Sequence, residues 1–131
     1  MKQTKATDYA LHTVAYMIEH STDENISVHV LAKQFDVSPT YLSKILTQLS
    51  KAGIIGSTSG VKGGYILGKN PLEITFFDVI QAIEGNTSFF TCAVHEDKES
   101  QCGIRRVMAE TNQLMEDFLR QSKLVDVIHK D

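Results

Sequence analysis

Hydrophobic residues recur at helical spacing through the first third of the chain, most clearly between residues 42 and 49. Four apolar positions there follow one another at i, i+3, i+4 and i+7, the pattern of a helix with one buried face. Ser38 can cap the first free amides, Pro39 suits the first helical turn, and Gly53 can end the helix in left-handed backbone. We therefore predict a helix over residues 38–52. Its buried face is Leu42, Ile45, Leu46 and Leu49.

A shorter apolar repeat precedes this helix, and Ser27 stands where its cap is expected. Only Asp36 and Val37 separate the two helices, and so short a connection predicts a helix-turn-helix. The second helix of such a motif reads DNA, so we call residues 38–52 the reader helix. The apolar positions of the shorter helix are Val28, Leu31, Ala32 and Phe35.

An opening helix is predicted from a cap at Thr7 or Asp8 to the polar run at 20–25. Its apolar positions again follow i, i+3, i+4 and i+7, and we interpret the helix as scaffold. The predicted stripe is Leu11, Val14, Ala15 and Ile18.

The opposite face of the reader helix is rich in hydrogen-bond donors and carries no acid. Hydroxyl, amide and ammonium groups of this kind bind base edges and phosphates in a DNA major groove. The first helix of the motif crosses the DNA backbone, which makes Lys33 and His29 candidates for phosphate contacts. The polar face consists of Thr40, Lys44, Thr47 and Lys51, with Tyr41 and Gln48 beside it.

After Gly53, two short β-branched or aromatic runs surround a glycine-rich turn at 59–64 and predict a hairpin. The turn lacks the Lys-Ser/Thr ending and opens no helix, which argues against a nucleotide phosphate loop. A hairpin that follows a helix-turn-helix is a wing. Lys62 at its tip is expected to contact phosphates or a minor groove, and Gly63 and Gly64 let the backbone approach the duplex closely.

Two more helices are predicted in the second half of the chain. Residues 74–85 begin with a variant of the capping box, from Thr75 to Asp78, and end at Gly85. The apolar face of this helix is Phe76, Val79, Ile80 and Ile83.

From Ile104 onward, a helix of about 18 residues, and so about 27 Å long, carries a continuous apolar seam. Such a seam packs against a second helix, and its copy in a twin subunit is the most readily available, so we predict a homodimer. A short capped helix at 122–128 is expected to cover the end of the seam. The seam consists of Ile104, Val107, Met108, Thr111, Leu114, Met115 and Phe118.

A chain of 131 residues, 42% of them hydrophobic, can bury one core. We predict one compact unit, mainly α with a small β wing. Residues 1–85 form a winged helix-turn-helix domain, and residues 86–131 an effector loop with the dimerisation helix. No apolar run is long enough to span a membrane and no signal sequence precedes the opening helix, so we expect a cytoplasmic protein with no membrane partner.

The net charge of −3 hides an asymmetry between the two halves of the chain. Residues 1–70 carry seven lysines against five acids, whereas residues 71–131 carry six basic residues against eleven acids. Within 33–69, five lysines face Asp36 alone, which is a local basic patch suited to phosphates. A solvated lysine face is the competing interpretation of this patch.

Only two cysteines occur, Cys92 and Cys102, at either end of an irregular acidic stretch. They are too few for a secreted disulfide scaffold and suit either a site or incidental burial. Cys92 and His95 could serve as nucleophile and base, but neither oxyanion donors nor an orienting third group accompany them. We therefore do not expect an enzyme.

Five stretches spread over nearly the whole chain form a recognisable set. They are Thr-Asp-Tyr-Ala-Leu at 7–11, Val-Ser-Pro-Thr-Tyr-Leu-Ser-Lys-Ile-Leu at 37–46, Lys-Ala-Gly at 51–53, Gly-Val-Lys-Gly-Gly-Tyr at 60–65, and Ile-Thr with Asp-Val-Ile at 74–80. Together they resemble the Rrf-two family of bacterial winged-helix regulators, which includes iron-sulfur-cluster, nitric-oxide and cysteine-metabolism repressors. The resemblance implies a homodimeric repressor, held together by the long helix, that binds palindromic double-stranded operators with the reader helix and the wing.

The resemblance places the DNA contacts of the family at two sets of positions. In the reader helix they are Ser38, Thr40, Tyr41, Ser43 and Lys44, and in the wing they are Lys62, Gly63 and Gly64. Many members have a glutamate at the position of Ser43 and an arginine at that of Ser59. The cytosine-selecting glutamate and the bidentate arginine contact are therefore absent here, and we expect a different operator.

Cluster-binding relatives place three cysteines in the loop, completed by a histidine or by the aspartate of the Thr-Asp-Tyr motif from the partner subunit. Cys92 matches the first cysteine and Cys102 the last, the middle one is missing, and His95 and Asp8 are the further candidates. Two thiolates, an imidazole and a carboxylate can hold a [2Fe-2S] cluster or a zinc ion. Three interpretations stay open: this metal site, a thiol switch, or two vestigial or packing cysteines. In the third case the protein responds to another effector, such as a metabolite or a regulatory partner protein, or to none.

Overall fold

A computed structural model of the protein describes residues 4–20, 24–61, 63–85 and 103–128. Within these ranges the chain forms helices and one two-stranded antiparallel sheet, which confirms the expected mainly α fold with a small β wing. Short 3-10 turns follow the sheet and the last helix, at Pro71–Glu73 and Leu124–Val127. The helices are α1 (Lys5–Glu19), α2 (Val28–Phe35), α3 (Pro39–Lys51), α4 (Phe76–Glu84) and α5 (Gly103–Gln121), and the strands are β1 (Ile55–Thr58) and β2 (Gly64–Leu67).

Helix α3 is the reader helix, and both of its predicted ends are confirmed. The Ser38 hydroxyl accepts the Tyr41 N–H at 3.1 Å, and Pro39 occupies the first turn. Gly53 lies at φ 80°, the left-handed backbone expected of a helix stop. All four predicted core residues, Leu42, Ile45, Leu46 and Leu49, are 2% exposed or less.

Helix α2 and the turn after it complete the predicted helix-turn-helix. Ser27 caps α2 by accepting the Val30 N–H at 3.2 Å. Asp36 takes the left-handed conformation, at φ 54°, which is uncommon outside glycine but tolerated by aspartate, and turns the chain into α3. Of the four predicted apolar positions, Leu31 and Ala32 are buried and the other two are half-buried.

The predicted hairpin is present, with Ile55 paired to Leu67 and Thr58 to Gly64. A third segment extends it, because Ile26 and Tyr65 exchange two backbone hydrogen bonds of 2.8 Å. Since Ile26 precedes Ser27, the cap of α2, these bonds attach the wing to the start of the helix-turn-helix.

The start and the buried face of α1 differ from the prediction. Thr4, not Thr7 or Asp8, caps the helix, and its hydroxyl accepts the Thr7 N–H at 3.2 Å. The predicted stripe was partly wrong. Val14 is buried, and Leu11 and Ile18 are half-buried against the core, but two threonines that the prediction left out are fully buried. The buried residues of α1 are Thr7, Ala10, Thr13, Val14 and Met17.

Helix α4 begins with the predicted capping box. The Thr75 hydroxyl accepts the Asp78 N–H, and the Asp78 carboxylate accepts the Thr75 N–H, each at 3.1 Å. Lys69 Nζ also donates to Asp78, at 2.8 Å, which attaches the base of the wing to α4. Burial by itself would raise the pKa of Asp78, but the hydrogen bonds from Lys69 and Thr75 outweigh burial and hold the pKa below its ordinary value.

The predicted core face of α4 is partly wrong. Val79 and Ile80 are buried as expected, and Phe76 and Ile83 are half-buried against the core. Phe77, which the prediction left out, is buried. The guanidinium of Arg120 in α5 lies 3.9 Å from the centre of the Phe77 ring and covers it, a cation–π contact that residue spacing within α4 does not indicate.

The end of the described chain forms the 3-10 turn Leu124–Val127 instead of the predicted capped helix. Ser122 does not cap it, because its hydroxyl donates to the Phe118 carbonyl at 2.7 Å. The turn joins the core: Leu124 is buried and donates its N–H to Ile74 at 3.1 Å, so the end of α5 is fixed beside the start of α4.

Candidate functional site

The polar face of the reader helix is exposed as predicted. Because the opposite face fills the core, α3 cannot turn these side chains inward without exposing four buried aliphatic residues. Ser43 is half-buried. It occupies the position at which many members of the family that the sequence resembles have glutamate. The exposed members are Ser38, Thr40, Lys44, Thr47, Gln48 and Lys51.

Hydrogen bonds within the protein limit what two of the hydroxyl groups can do. Ser38 Oγ accepts from the backbone of Tyr41, which leaves its hydroxyl hydrogen to donate to a phosphate. Thr47 Oγ1 donates to the Ser43 carbonyl at 2.8 Å, which leaves Thr47 only lone pairs to offer to a ligand. The start of the reader helix therefore offers a donor, whereas Thr47 in its third turn offers an acceptor.

Tyr41 has a packing role that the sequence did not indicate. Its ring is half-buried and meets the ring of Tyr9 from α1 edge to face, with centroids 5.9 Å apart and an angle of 81°. This contact joins the first turn of the reader helix to α1. A contact of Tyr41 with DNA stays a prediction beside this structural role.

The basic patch is smaller in the structure than the sequence predicts. Lys69 is paired with Asp78 at 2.8 Å and is thereby drawn toward α4. Lys33, Lys44 and Lys51 are exposed, and the described part of the chain shows no acidic partner for any of them. These three cations lie on α2 and α3, the two helices of the motif.

The wing needs its glycines for its own packing. A Cβ atom on Gly63 would lie 2.6 Å from the Thr58 carbonyl oxygen, and one on Gly64 would lie 2.7 Å from that of Ile26. Both distances are too short for real contacts, so these positions must be glycine whether or not DNA approaches them. Lys62, the predicted tip contact, lies outside the described residues.

Three of the four candidate cysteine-site residues, Cys92, His95 and Cys102, also lie outside the described residues. The fourth, Asp8, is exposed on α1, where its carboxylate lies 3.3 Å from the Nδ1 atom of His12. In the described ranges no three His, Cys, Asp or Glu side chains form a group that could hold a metal ion. The chemistry of the four candidates still fits a zinc ion or a two-iron cluster.

Helix α5 leaves four of the seven predicted seam residues exposed and the other three half-buried. None of its 19 residues is buried, and Ile104, Leu114 and Phe118 are 70%, 71% and 70% exposed. The C-terminal part of the seam forms one wall of an apolar groove of about 510 Å³ between α1, α4 and α5. No helix in the described part of the chain is long and apolar enough to cross a membrane. The groove is lined by Thr7, Leu11, Phe76, Ile80, Leu114, Met115, Phe118 and Leu119.

Comparison with known proteins identifies the family of the chain. Residues 3–130 match the model of the Rrf2 family, described as iron-dependent transcriptional regulators. The transcriptional regulator NsrR of Geobacillus kaustophilus is 31% identical over 92% of this chain and 82% of its own length. The structure of CymR, the global cysteine regulator of Bacillus subtilis, has 27% identity and a TM-score of 0.80, with 97% of this chain and 95% of that chain covered.

The structure of IscR from T. potens, at 24% identity, supports the fold alone, with a TM-score of 0.74 over 98% of this chain and 86% of that one. The matched proteins are regulators of transcription and not enzymes, as the residues had indicated. The chain therefore belongs to the Rrf2 (Rrf-two) family and is a winged helix-turn-helix transcriptional regulator that binds DNA.

Proposed function

We propose that the protein is a homodimeric repressor that works in the cytoplasm and binds a palindromic operator through the reader helix and the wing. The main support for this proposal is the exposed face of α3, which is rich in hydrogen-bond donors and has no acid. Four buried aliphatic residues on the opposite face keep it turned outward. The proposed DNA contacts are Lys33, Ser38, Thr40, Tyr41, Ser43, Lys44, Thr47, Gln48, Lys62, Gly63 and Gly64.

The proposed contacts divide between positioning and reading. Lys33, Lys44 and Lys62 are suited to phosphates, because an ammonium group is a point charge that needs no particular base. Gln48 is suited to an adenine edge, which a side-chain amide can contact with both a donor and an acceptor. With Ser43 and Ser59 in place of the family's glutamate and arginine, we expect an operator unlike those of many relatives.

The proposed dimer joins the seams of two α5 helices. A helix of 19 residues that buries none of them leaves an apolar stripe in water, and the adjoining groove of about 510 Å³ continues that stripe onto α1 and α4. A second copy of the chain covers both surfaces at once. A two-fold dimer would also present two reader helices to half-sites about one helical turn apart, roughly 34–36 Å.

The DNA contacts are tested by replacing one lysine of the reader helix and one of the wing. We expect the Lys44→Ala, Lys62→Ala double variant to bind genomic fragments more weakly in gel shifts at physiological salt. The slope of its affinity against salt concentration should fall by the amount expected for the loss of about two phosphate contacts. Lys123→Ala, an exposed lysine at the far end of the chain, is the matched control. Wild-type affinity of the double variant would show that the reader and wing assignment is wrong.

We further propose that the signal acts through Cys92 and Cys102, with His95 and Asp8 as additional donors where a metal is held. A two-iron cluster at these donors would supply one-electron redox chemistry. Anaerobic purification with visible absorption and iron and sulfide assays tests the cluster, and a colourless, metal-free protein removes it. Mass spectrometry after mild peroxide tests the thiol switch, and two unmodified thiols remove that interpretation.

A regulator without cysteine sensing, controlled by a partner protein, is the alternative. It is distinguished by the Cys92→Ser, Cys102→Ser double variant. If the variant and the wild type bind DNA alike, both with and without oxidant, the alternative is favoured. If oxidant changes DNA binding by the wild type but not by the variant, cysteine sensing is favoured.

A further inference from the structure

A carboxylate from the end of α4 is held by the start of α1. Glu84 Oε2 accepts the Thr4 N–H at 3.3 Å and the Thr4 hydroxyl at 2.8 Å, and it also accepts the Thr7 hydroxyl. Thr7 is completely buried, although it lies on the helix face that residue spacing had left out of the core. We call Thr4, Thr7 and Glu84 the latch.

The chemistry of the latch suits its position. A carboxylate is stabilised at a helix N-terminus, where the backbone amides of the first turn have no partner within the helix. Hydrogen bonds to a charged acceptor are stronger than those between neutral groups. Apolar packing between two helices tolerates small sliding movements, whereas three donors directed at one oxygen specify a single relative placement.

Thr7 of the latch lies about half a helical turn from the contact between α1 and the reader helix. Tyr9 follows Thr7 by two residues on α1 and packs edge to face against Tyr41, with ring centroids 5.9 Å apart. Tyr41 lies in the first turn of α3, and its backbone N–H is the group that Ser38 caps. Tyr9 thus supports the end of the reader helix that carries Ser38 and Thr40. A shift of α1 along or about its axis would displace that end.

We propose that Glu84 and Thr7 are positioning residues for DNA recognition: the latch fixes α1 against α4, and the Tyr9–Tyr41 contact carries that placement to the first turn of the reader helix. The proposal rests on the proposed role of α3 in reading DNA. It assigns Glu84 no contact with DNA. It predicts that loss of the latch weakens binding to a specific sequence more than binding to DNA in general, because phosphate contacts tolerate small displacements and base contacts do not.

The test compares matched variants of the full chain on two duplexes: one selected by the wild-type protein from a random-sequence library, and a scrambled duplex of the same composition. Thr7→Val keeps the volume of the buried side chain and removes its hydroxyl, Thr7→Ser keeps the hydroxyl, and Glu84→Gln removes the charge. Tyr9→Phe keeps the ring, whereas Tyr9→Ala removes it. Affinities are measured by fluorescence anisotropy, with circular dichroism to verify that each variant is folded.

We expect Thr7→Val, Glu84→Gln and Tyr9→Ala to lose about tenfold in affinity for the selected duplex. Their affinity for the scrambled duplex should stay within about twofold, and Thr7→Ser and Tyr9→Phe should bind both duplexes like wild type. In the Thr7→Val, Tyr9→Ala double variant the losses should not add, because both changes interrupt one path.

Two results would overturn the proposal. One is wild-type binding of the selected duplex by Thr7→Val and Glu84→Gln while Lys44→Ala loses affinity, which rejects the latch and keeps the reader helix. The other is an equal loss on both duplexes without rescue by Thr7→Ser, which would show that the latch serves folding alone. Wild-type binding by Lys44→Ala would instead reject the proposed role of α3.

Discussion

The reader helix α3 and the long helix α5 are both amphipathic, but within the described part of the chain only α3 has its apolar face fully packed. Four aliphatic residues of α3 are 2% exposed or less, whereas α5 buries none of its 19 residues. The surface that α3 leaves to solvent is polar and cationic, and the surface that α5 leaves is apolar. One surface is therefore suited to DNA and the other to protein.

Removal of one aliphatic side chain from the core side of α3 should have the largest effect on stability. Leu46 is 0% exposed, so Leu46→Ala should lower the free energy of unfolding by about 3 kcal/mol through lost burial and the cavity left behind. Urea unfolding followed by circular dichroism at one fixed protein concentration measures the change. Thr40→Ala, on the solvent side of the same helix, should stay within about 0.5 kcal/mol. Equal stability of the two variants would contradict the packing described for α3.

A charge placed on the seam of α5 should weaken dimerisation and leave the fold of each protomer intact. Phe118 is 70% exposed in one protomer, so Phe118→Asp should barely alter the fold of that protomer but should weaken dimerisation by about 100-fold, as loss of a central apolar contact does. Sedimentation velocity at micromolar concentration measures the change. Ala109→Asp adds the same charge to the same helix away from the seam and should remain dimeric. A wild-type protein that sediments only as a 14.6 kDa monomer would refute the dimer itself.

Replacing glycine by alanine should produce a smaller difference, in which a replacement in the wing lowers stability and one in α5 does not. In Gly64→Ala the new Cβ would lie 2.7 Å from the Ile26 carbonyl oxygen, and relief of this contact should cost about 1–3 kcal/mol of stability. Gly103→Ala, at the first residue of α5, has nothing within 4 Å of the new atom and should not destabilise. Thermal melting without DNA measures both variants. Wild-type stability of Gly64→Ala would mean that DNA contact, not internal packing, requires the glycine.

The smallest expected effect is a pH dependence at the base of the wing. The pKa of Asp78 is lowered in the folded protein, so its ionised form adds stability at neutral pH. This stability is lost as the pH falls below the ordinary value of 3.8, where the unfolded chain takes up a proton before the folded one does. The difference in unfolding free energy between wild type and Asp78→Asn should therefore narrow with acidification. A constant difference down to pH 3 would contradict the assigned hydrogen bonds.

Local signals explain why α3 could be predicted to the residue. A serine cap, a proline in the first turn, a glycine stop and one apolar repeat all lie within the helix or next to it. Helix α1 could not be predicted as well, because Thr7 is buried through a bond to Glu84, 77 residues away, and spacing arguments assign threonine to the surface. Adjacent phenylalanines at 76 and 77 posed a similar problem, since Arg120 of a different helix covers the one that is buried.

The candidate DNA interface was predictable for the same reason as α3, because exposed positions follow once the buried face is known. Charge counting alone could not show that Lys69 is paired with Asp78, and residue type alone could not show that Tyr41 packs on Tyr9. Both contacts join elements far apart in sequence. They reduce the predicted cationic surface and give a candidate base-reading residue a second role.

The comparison between α3 and α5 is tested most directly by the stoichiometry of the complex with DNA. Sedimentation equilibrium of the protein with a duplex that carries one selected site measures how many chains bind. We expect two chains of 14.6 kDa per duplex, joined through α5 and bound through α3. A single chain bound per duplex would contradict the proposed dimer. Two Phe118→Asp chains that still bind the duplex as one unit would contradict the role of α5.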